Sequence, residues 1–287
     1  MKKEERIYKR SIIILSCKKI LITLKLILPT KWYDVFYKFN FNIYKNLLHI
    51  IYYKKCIYYK IKGDRKNYKK ANLIYQVMPY SLVGSGGLSQ TYDIVTKVIK
   101  NDIEGDIIEC GVARGGCAAL MASIIFKNNI NDRKLWLFDS FEGLPEASEK
   151  DFSFKNKKSA GKFIRPLNQG SCLGTYEQVE NLLFSKLNMN RKNIKMIKGW
   201  FKNTLPEYKN KIDKISVLRI DADWYESTKC CLENLYNKVI KDGFIIIDDY
   251  GTCFGAKRAV DEFLKMKKLS VKLTHDGRGG CCFKKPV

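Results

Sequence analysis

The stretch from Lys214 to Tyr250 constrains the fold of this chain more than any other part of it. It reads KISVLRIDADWYESTKCCLENLYNKVIKDGFIIIDDY, with a mostly apolar run near each end and a helix-like segment between them. Short β-branched runs separated by a helical pattern are typical of a parallel β-α-β unit whose strands are buried on both faces. The stretch therefore predicts an α/β fold built on a mostly parallel sheet.

Acidic residues follow both predicted strands of this unit. Asp221 and Asp223 follow the first strand, and the pair Asp248 and Asp249 follows the second. Ligands of open α/β sheets bind beyond the carboxyl ends of the strands, and carboxylates gathered there repel one another unless a cation holds them. We therefore predict a divalent-metal site formed by Asp221, Asp248 and Asp249. The alternative is that such acids are ordinary turn and helix-capping residues, and Asp223 fits that role before a helix near Tyr225.

The first 70 residues differ in charge from the rest of the chain. They carry 19 Lys and Arg against 4 Asp and Glu, so +15 of the net charge of +24 lies in the first quarter of the 287 residues. The pattern predicts a basic helical extension over residues 1–70, with a linker at Gly63–Lys70, followed by a domain over residues 71–287. The extension either forms a cap or a homo-oligomer contact, or it lies on an anionic membrane surface.

Composition also bears on location and partners. The longest charge-free run in the apolar N-terminal stretch, Ser11 to Cys17, is far shorter than the roughly 20 residues that span a bilayer. The ten cysteines form no C-x-x-C zinc pattern, which favours reduced thiols in a cytoplasmic protein, with peripheral contact at the inner face of a membrane left open. The sequence contains no motif typical of nucleic-acid recognition, so we expect no nucleic-acid partner.

A glycine-rich turn follows the predicted strand in GDIIECGVARGGCAALMASIIF, residues 105–126. The strand ends at Glu109, and Gly111 and Gly115 allow a tight turn and a close backbone approach before a helix that begins near Cys117. The spacing E-x-G-x-x-x-G differs from the dinucleotide pattern G-x-G-x-x-G. The turn alone leaves NAD, FAD and S-adenosylmethionine open as cofactors.

The next predicted strand, in KLWLFDSFEGLPE, ends at Asp139, 28 residues after Gly111. A carboxylate at the end of the second strand is typical of nucleotide-binding sheets, where it accepts hydrogen bonds from the ribose hydroxyls. NAD and S-adenosylmethionine sites share this feature. The acids after the later strands favour S-adenosylmethionine.

Several further elements are predicted around this framework. A glycine-rich entry loop is expected at Gly84–Gly87, and the long polar stretch from Glu146 to Gly174 is typical of a lid. A helix is expected with Thr175 as its N-cap and Gln178 at the capping-box position. An amphipathic helix and a hairpin close the chain, and the hairpin predicts an antiparallel last strand.

The blocks GDIIECGVARGG, LFDSFEGLPE, GWFKNTLPE, LRIDADWYEST, GFIIIDDYGT and GAKRAVDEF, in this order over roughly residues 73–285, resemble the macrocin O-methyltransferase family. The resemblance implies a Rossmann-like class I methyltransferase fold, a seven-stranded mostly parallel sheet with an antiparallel last strand. It also implies an enzyme that depends on S-adenosylmethionine and Mg²⁺ and methylates a hydroxyl of a sugar or glycosylated small molecule.

The resemblance also implies roles for individual residues. The expected cofactor-binding residues are Glu109, Gly111, Gly115, Asp139 and Ser140. The expected Mg²⁺ ligands are Asp221, Asp248 and Asp249, and Asp221 is also the expected catalytic base.

Two other functions remain open from the residues themselves: an NAD-dependent Rossmann enzyme, and a non-catalytic membrane-associated module. The first would give the acid cluster no role, and the second would tolerate the loss of every one of those acids.

Overall fold

The computed structural model describes residues 30–128, 132–153, 163 and 166–286. The predictions for the apolar stretch before residue 30, and for the middle of the expected lid, fall outside the described residues. The chain divides into two compact units, residues 1–51 and 52–287. The domain boundary predicted after residue 70 stays a prediction.

A seven-stranded sheet forms the centre of the second unit, with the strand order β3-β2-β1-β4-β5-β7-β6. Strands β1 to β5 are mutually parallel where they pair, and β7 runs antiparallel to both β5 and β6. The strands are β1 (Asp106–Cys110), β2 (Leu135–Asp139), β3 (Ile194–Lys198), β4 (Ile215–Ile220), β5 (Val239–Ile247), β6 (Thr274–His275) and β7 (Cys281–Lys284). The predicted fold class, including the antiparallel last strand, is confirmed.

The described part of the chain contains eight α-helices. They are α1 (Thr30–Ile61), α2 (Arg65–Val77), α3 (Ser85–Lys100), α4 (Gly116–Lys127), α5 (Tyr176–Glu180), α6 (Phe201–Tyr208), α7 (Tyr225–Leu235) and α8 (Phe254–Met266). Thr175 and Gln178 form the predicted capping box of α5. A π-helical segment, Asn181–Lys186, continues α5.

The two faces of the sheet differ in what they bury. Alternate residues of the central strands, such as Ile108, Leu218 and Ile245, join an apolar core with residues of α6, α7 and α8. The residues between them face the other way. On that second face Glu109 of β1 lies in register with Arg219 of β4. An ionic group therefore lies between β1 and β4, the two fully or almost fully buried central strands of the sheet.

The loop predicted at Gly84–Gly87 is wrong, whereas the linker role predicted for Gly63–Lys70 stays a prediction, although most of that segment is helical. The expected linker at Gly63–Lys70 is mostly helical, because the Asp64 side chain accepts a hydrogen bond from Asn67 N at 3.1 Å and begins α2 at Arg65. The expected loop at Gly84–Gly87 is the first turn of α3, since the helix begins at Ser85. Helix α3 contacts β4 and β5 and packs against α4, so tertiary contacts support a glycine-rich first turn.

Helix α1 carries many exposed apolar side chains. These are Phe39, Ile43, Leu47, Ile50, Tyr53, Ile57, Tyr58 and Ile61. Among the described helices, none is both long and apolar enough to cross a membrane. Peripheral membrane contact and homo-oligomer formation through this region stay predictions. All nine cysteines in the described ranges are free, as expected for reduced thiols.

Candidate active site

Asp221, Asp248 and Asp249 meet at the carboxyl ends of two neighbouring parallel strands. Strand β4 pairs with β5 up to Ile220 and Ile247, so the residues that follow emerge side by side. Asp248 N donates a hydrogen bond to Ile220 O at 3.0 Å, which fixes the register at this point. One carboxylate oxygen from each of the three aspartates lies within 4.8 Å of the others. The residues predicted to hold a metal are therefore brought together.

Asp223 belongs to the same acidic cluster and is not a helix cap. The N-cap of α7 is Trp224, and the backbone amide of Tyr225 donates instead to Asp151 Oδ1 at 2.6 Å. Asp223 accepts a hydrogen bond from Cys253 Sγ at 3.6 Å. The predicted capping role of Asp223 is wrong because Asp151, which lies within the expected lid segment, accepts the hydrogen bond from the Tyr225 amide instead.

The cluster is electrostatically costly for the protein alone. Burial, reinforced by the charge of Asp221, raises the pKa of Asp248 to about 7 and that of Asp223 to about 7. Burial and the charges of Asp223 and Asp221 raise the pKa of Asp249 well above its ordinary value. Like charges in a low-dielectric site favour protonation unless a cation is present. A positive charge close to the cluster would therefore stabilise the ionised form of its four carboxylates.

The donor set fits a hard divalent cation. Three carboxylates supply oxygen ligands, which are the ligands that Mg²⁺ prefers. Asp249 Oδ2 is buried and has no hydrogen-bond partner in the described part of the chain. A buried carboxylate oxygen left without a donor is costly, and a metal ion is a common reason for it.

The glycine turn after β1 lies against this cluster. Gly111 has a φ of +92°, and a Cβ placed on it would lie 1.8 Å from the carbonyl oxygen of Asp221. Gly115 has a φ of +82° and is the N-cap of α4. The turn needs glycine at position 111 for two reasons, a left-handed backbone and the close approach of the Asp221 main chain.

Asp139 orders the loops on both sides of it. Its Oδ2 accepts hydrogen bonds from Val112 N at 2.6 Å and Ala113 N at 3.0 Å, and its Oδ1 accepts one from Phe141 N at 2.7 Å. Burial raises the pKa of the Asp139 carboxyl, although these three backbone bonds oppose the rise. Asp139 thus ties the end of β2 to the glycine turn, and its contact with a ribose stays a prediction.

Ser140 extends this loop structure. Its hydroxyl donates to Gly143 O at 3.1 Å and accepts from Glu142 N at 3.1 Å. The side chain therefore shapes the turn after β2. Its predicted cofactor contact is untested.

Glu109 lies deeper than an ordinary ligand-binding residue. It is 1% exposed, and its Oε1 accepts a hydrogen bond from Arg219 Nη1 at 3.2 Å. Burial raises the pKa of Glu109 to about 8, against the opposing effect of the Arg219 charge. Its Oε2 has no partner within the described ranges. Glu109 is therefore a buried acid on the same face of the sheet as the metal candidates.

Arg219 is the functional candidate that the sequence analysis missed. It is the largest fully buried side chain of the described protein, and it contacts Glu109, Asp221 and Asp248. The sequence feature that could have revealed Arg219 is its position as the one cationic residue inside the apolar run ISVLRI. An arginine is almost never fully buried unless it is paired, so this residue indicates buried partners for its guanidinium, most favourably carboxylates.

The first turn of α3, like Arg219, lies close to the acid cluster, and the sequence analysis did not predict this. A Cβ on Gly87 would lie 2.8 Å from Asp248 Oδ1, and a Cβ on Gly86 would meet Asp276 and Arg278 of the final hairpin. The glycine-rich segment therefore lets the amino end of α3 approach the acid cluster.

A model of one protein family matches residues 23–285, and its description is Macrocin-O-methyltransferase (TylF). The chain belongs to this family. The match begins at residue 23, so the macrocin O-methyltransferase family covers more of the N-terminal region than the sequence blocks indicated. The chain is accordingly an O-methyltransferase that depends on S-adenosylmethionine. Family membership decides among the three predicted functions in favour of the O-methyltransferase.

Individual family relatives agree with this assignment. The chain is 34% identical over 201 residues to demethyldecarbamoylnovobiocin O-methyltransferase of Streptomyces niveus, covering 70% of this chain and 74% of that protein. It is 32% identical over 171 residues to 8-demethyl-8-(2,3-dimethoxy-alpha-L-rhamnosyl)-tetracenomycin-C 4'-O-methyltransferase of Streptomyces olivaceus, covering 60% and 62% of the two chains. The solved structure of the O-methyltransferase NovP superposes with a TM-score of 0.64 at 33% identity, covering 72% of this chain and 83% of that one.

Proposed function

We propose that this enzyme methylates a hydroxyl group of a sugar or glycosylated small molecule, with a divalent cation held by Asp221, Asp248 and Asp249. The observation that carries the proposal is the convergence of one oxygen from each of these carboxylates within 4.8 Å. The name of the Streptomyces olivaceus relative, which describes 4'-O-methylation of a compound with a rhamnosyl group, supports a sugar acceptor.

The cation and the cofactor contribute chemistry that amino-acid side chains do not supply. When bound, Mg²⁺ lowers the pKa of a substrate hydroxyl, and S-adenosylmethionine supplies the electrophilic methyl group. A vicinal diol is the proposed acceptor feature, because two adjacent hydroxyl oxygens suit a hard cation with free ligand positions.

The chain's own residues bind, orient and accept the proton. Asp221 is the proposed base, since its carboxylate follows β4 directly and belongs to the acid cluster. Gly111 lets the turn after β1 approach the Asp221 main chain, so the cofactor-binding turn and the base are neighbours. Holding two reactants at such adjacent positions accounts for much of the acceleration in reactions of this kind.

The cofactor residues form the other half of the proposal. Glu109, Gly111, Gly115, Asp139 and Ser140 are proposed to bind S-adenosylmethionine. Gly111 and Gly115 give the turn its left-handed backbone, and Asp139 and Ser140 order the adjoining loop.

A matched pair of variants tests this function. The enzyme is incubated with S-adenosylmethionine, Mg²⁺ and glycosides that carry a vicinal diol, with their monodeoxy counterparts and catechol alongside, and formation of S-adenosylhomocysteine is measured. Asp249→Asn should lower turnover of the diols about 100-fold. Asp242→Asn should have no effect, because the half-exposed Asp242 side chain pairs with Lys284 and is not part of the cluster.

Three results would contradict parts of the proposal. Turnover that survives EDTA and Asp249→Asn would exclude the metal site. Equal turnover of monodeoxy glycosides would exclude the diol requirement. Methylation of catechol, with no methylation of any of the glycosides, would contradict a sugar acceptor.

A further inference from the structure

Arg219 lies at the centre of the sheet and contacts three acids that come from three strands or strand ends. Its side chain is fully buried, with 0% exposure. Nη1 donates to Asp221 Oδ2 at 2.9 Å and to Glu109 Oε1 at 3.2 Å, while Nη2 donates to Asp248 Oδ1 at 2.7 Å. One guanidinium therefore links β1, β4 and the end of β5.

The strand register explains why these four side chains meet. Glu109 and Arg219 are direct neighbours across β1 and β4, and Asp221 follows Arg219 by two residues on the same face. On β5 the strand partner of Arg219 is Ile246, and Asp248 lies two residues after Ile246. The arrangement results from the period of two in parallel strands.

Arginine suits this position better than lysine. Its planar guanidinium has donors on two separate nitrogens in a fixed fork, whereas an ammonium group is a single point on a flexible chain. Here the two Nη atoms hold one oxygen of Asp221 and one oxygen of Asp248. Asp221 Oδ1 and Asp248 Oδ2 remain outside this pair of hydrogen bonds.

We infer that Arg219 is a positioning residue that fixes the orientation of the Asp221 and Asp248 carboxylates and leaves the second oxygen of each toward the acid cluster. The guanidinium also offsets part of the negative charge of the cluster before any cation binds. The part of this inference that concerns metal rests on the proposed function. The part that concerns carboxylate orientation does not.

A double-mutant cycle in the ion-free protein tests the orientation directly. Urea unfolding in EDTA is measured for wild type, Arg219→Lys, Asp248→Asn and the double variant. The double variant should lose less unfolding free energy than the sum of the single losses, because each single change already breaks the same contact. Arg219→Gln, which keeps a donor without the charge, replaces the lysine variant if that variant does not fold.

The matched control is a second buried arginine, Arg133, which lies in the loop before β2. Arg133 donates to Ser216 Oγ at 2.9 Å and to Ile103 O at 2.7 Å, near the amino end of β4. Arg133→Lys and Asp248→Asn should therefore have additive effects on unfolding. Coupling of the same size in both cycles would overturn the inference, because it would reflect general loosening of the sheet.

Binding of Mn²⁺, followed by its electron paramagnetic resonance spectrum and by calorimetry, is the second readout. Arg219→Lys should weaken Mn²⁺ binding at least about tenfold and change the spectrum, while Arg133→Lys leaves both unchanged. Wild-type Mn²⁺ affinity in Arg219→Lys, or additive unfolding losses, would overturn the inference. Non-additive unfolding losses in the Arg219–Asp248 cycle, together with no Mn²⁺ binding by the wild type, would support the orientation by Arg219. The same pair of results would overturn the proposed metal site.

Discussion

Gly111 and Asp221 approach each other so closely that no side chain fits between them. A Cβ on Gly111 would lie 1.8 Å from the Asp221 carbonyl oxygen, and Asp221 N donates to the neighbouring Cys110 O at 2.8 Å. The glycine turn after β1 and the first acid after β4 are thus fixed against each other through main-chain atoms. The two halves of the proposed site are joined at this contact.

Gly111→Ala should destabilise the protein by about 3 kcal/mol or more, because left-handed backbone strain adds to a clash with main-chain atoms. Urea unfolding measures the loss. Gly63→Ala is the control, since Gly63 also has a positive φ, +66°, but has open space around it. The control should lose only about 1 kcal/mol. Equal losses in the two variants would show that the contact with Asp221 is not restrictive.

Gly87→Ala should impair the site more than the fold. The added Cβ would lie 2.8 Å from Asp248 Oδ1 and 2.7 Å from Val83 Cγ1, so the Asp248 carboxylate must shift. Alanine gains about 1 kcal/mol of helix propensity over glycine, which offsets part of the steric cost. We expect Mn²⁺ affinity to fall about tenfold or more with little change in melting temperature.

Gly84→Ala provides the comparison for that variant, because a Cβ on Gly84 meets nothing within 4 Å. Its Mn²⁺ affinity should equal that of wild type. An unchanged affinity in Gly87→Ala would mean that Asp248 tolerates the displacement or does not bind the ion.

Asp151→Asn should cost about 2–3 kcal/mol of unfolding free energy. Asp151 is 3% exposed and accepts hydrogen bonds from Tyr225 N at 2.6 Å and from Ser148 N and Oγ, both at 2.8 Å. The amide NH₂ of asparagine cannot accept, so at least one buried donor loses its partner. Glu149→Gln, at an exposed neighbour, should be neutral, and a loss of similar size there would exclude this explanation.

The ion-free protein should become less stable as the pH rises from about 4 to about 8. The pKa of Glu109 is raised to about 8, whereas an unfolded glutamate titrates near about 4. The folded state therefore binds more protons than the unfolded state in this window, which makes the slope of unfolding free energy against pH negative. Urea unfolding in EDTA across this range measures the slope.

Glu109→Gln isolates this contribution, because glutamine does not titrate. The variant should show a less negative slope than wild type, while Glu104→Gln, at an exposed residue paired with Lys214, should not. Added Mg²⁺ should stabilise wild type more at high pH, since protons compete with a metal for carboxylates. A wild-type slope that Glu109→Gln leaves unchanged would contradict the raised pKa.

The sequence by itself determined the order of strands and helices and the residues at the strand ends. The apolar runs that end in Asp221 and Asp248 predicted both the parallel unit and the acid cluster, because period and polarity are local properties of the chain. The glycine turn and the capping box at Thr175 were predictable for the same reason: each depends on a few consecutive residues.

Only the tertiary structure decided which side chains meet. Arg219 acquires its three acidic partners through pairing with strands that are distant along the chain, and register is not visible in any one segment. Asp151 replaced Asp223 as the partner of the Tyr225 amide because a loop 74 residues away packs there. Contacts over such separations depend on the packing of the whole sheet, whereas the residue types that make them are set by the sequence.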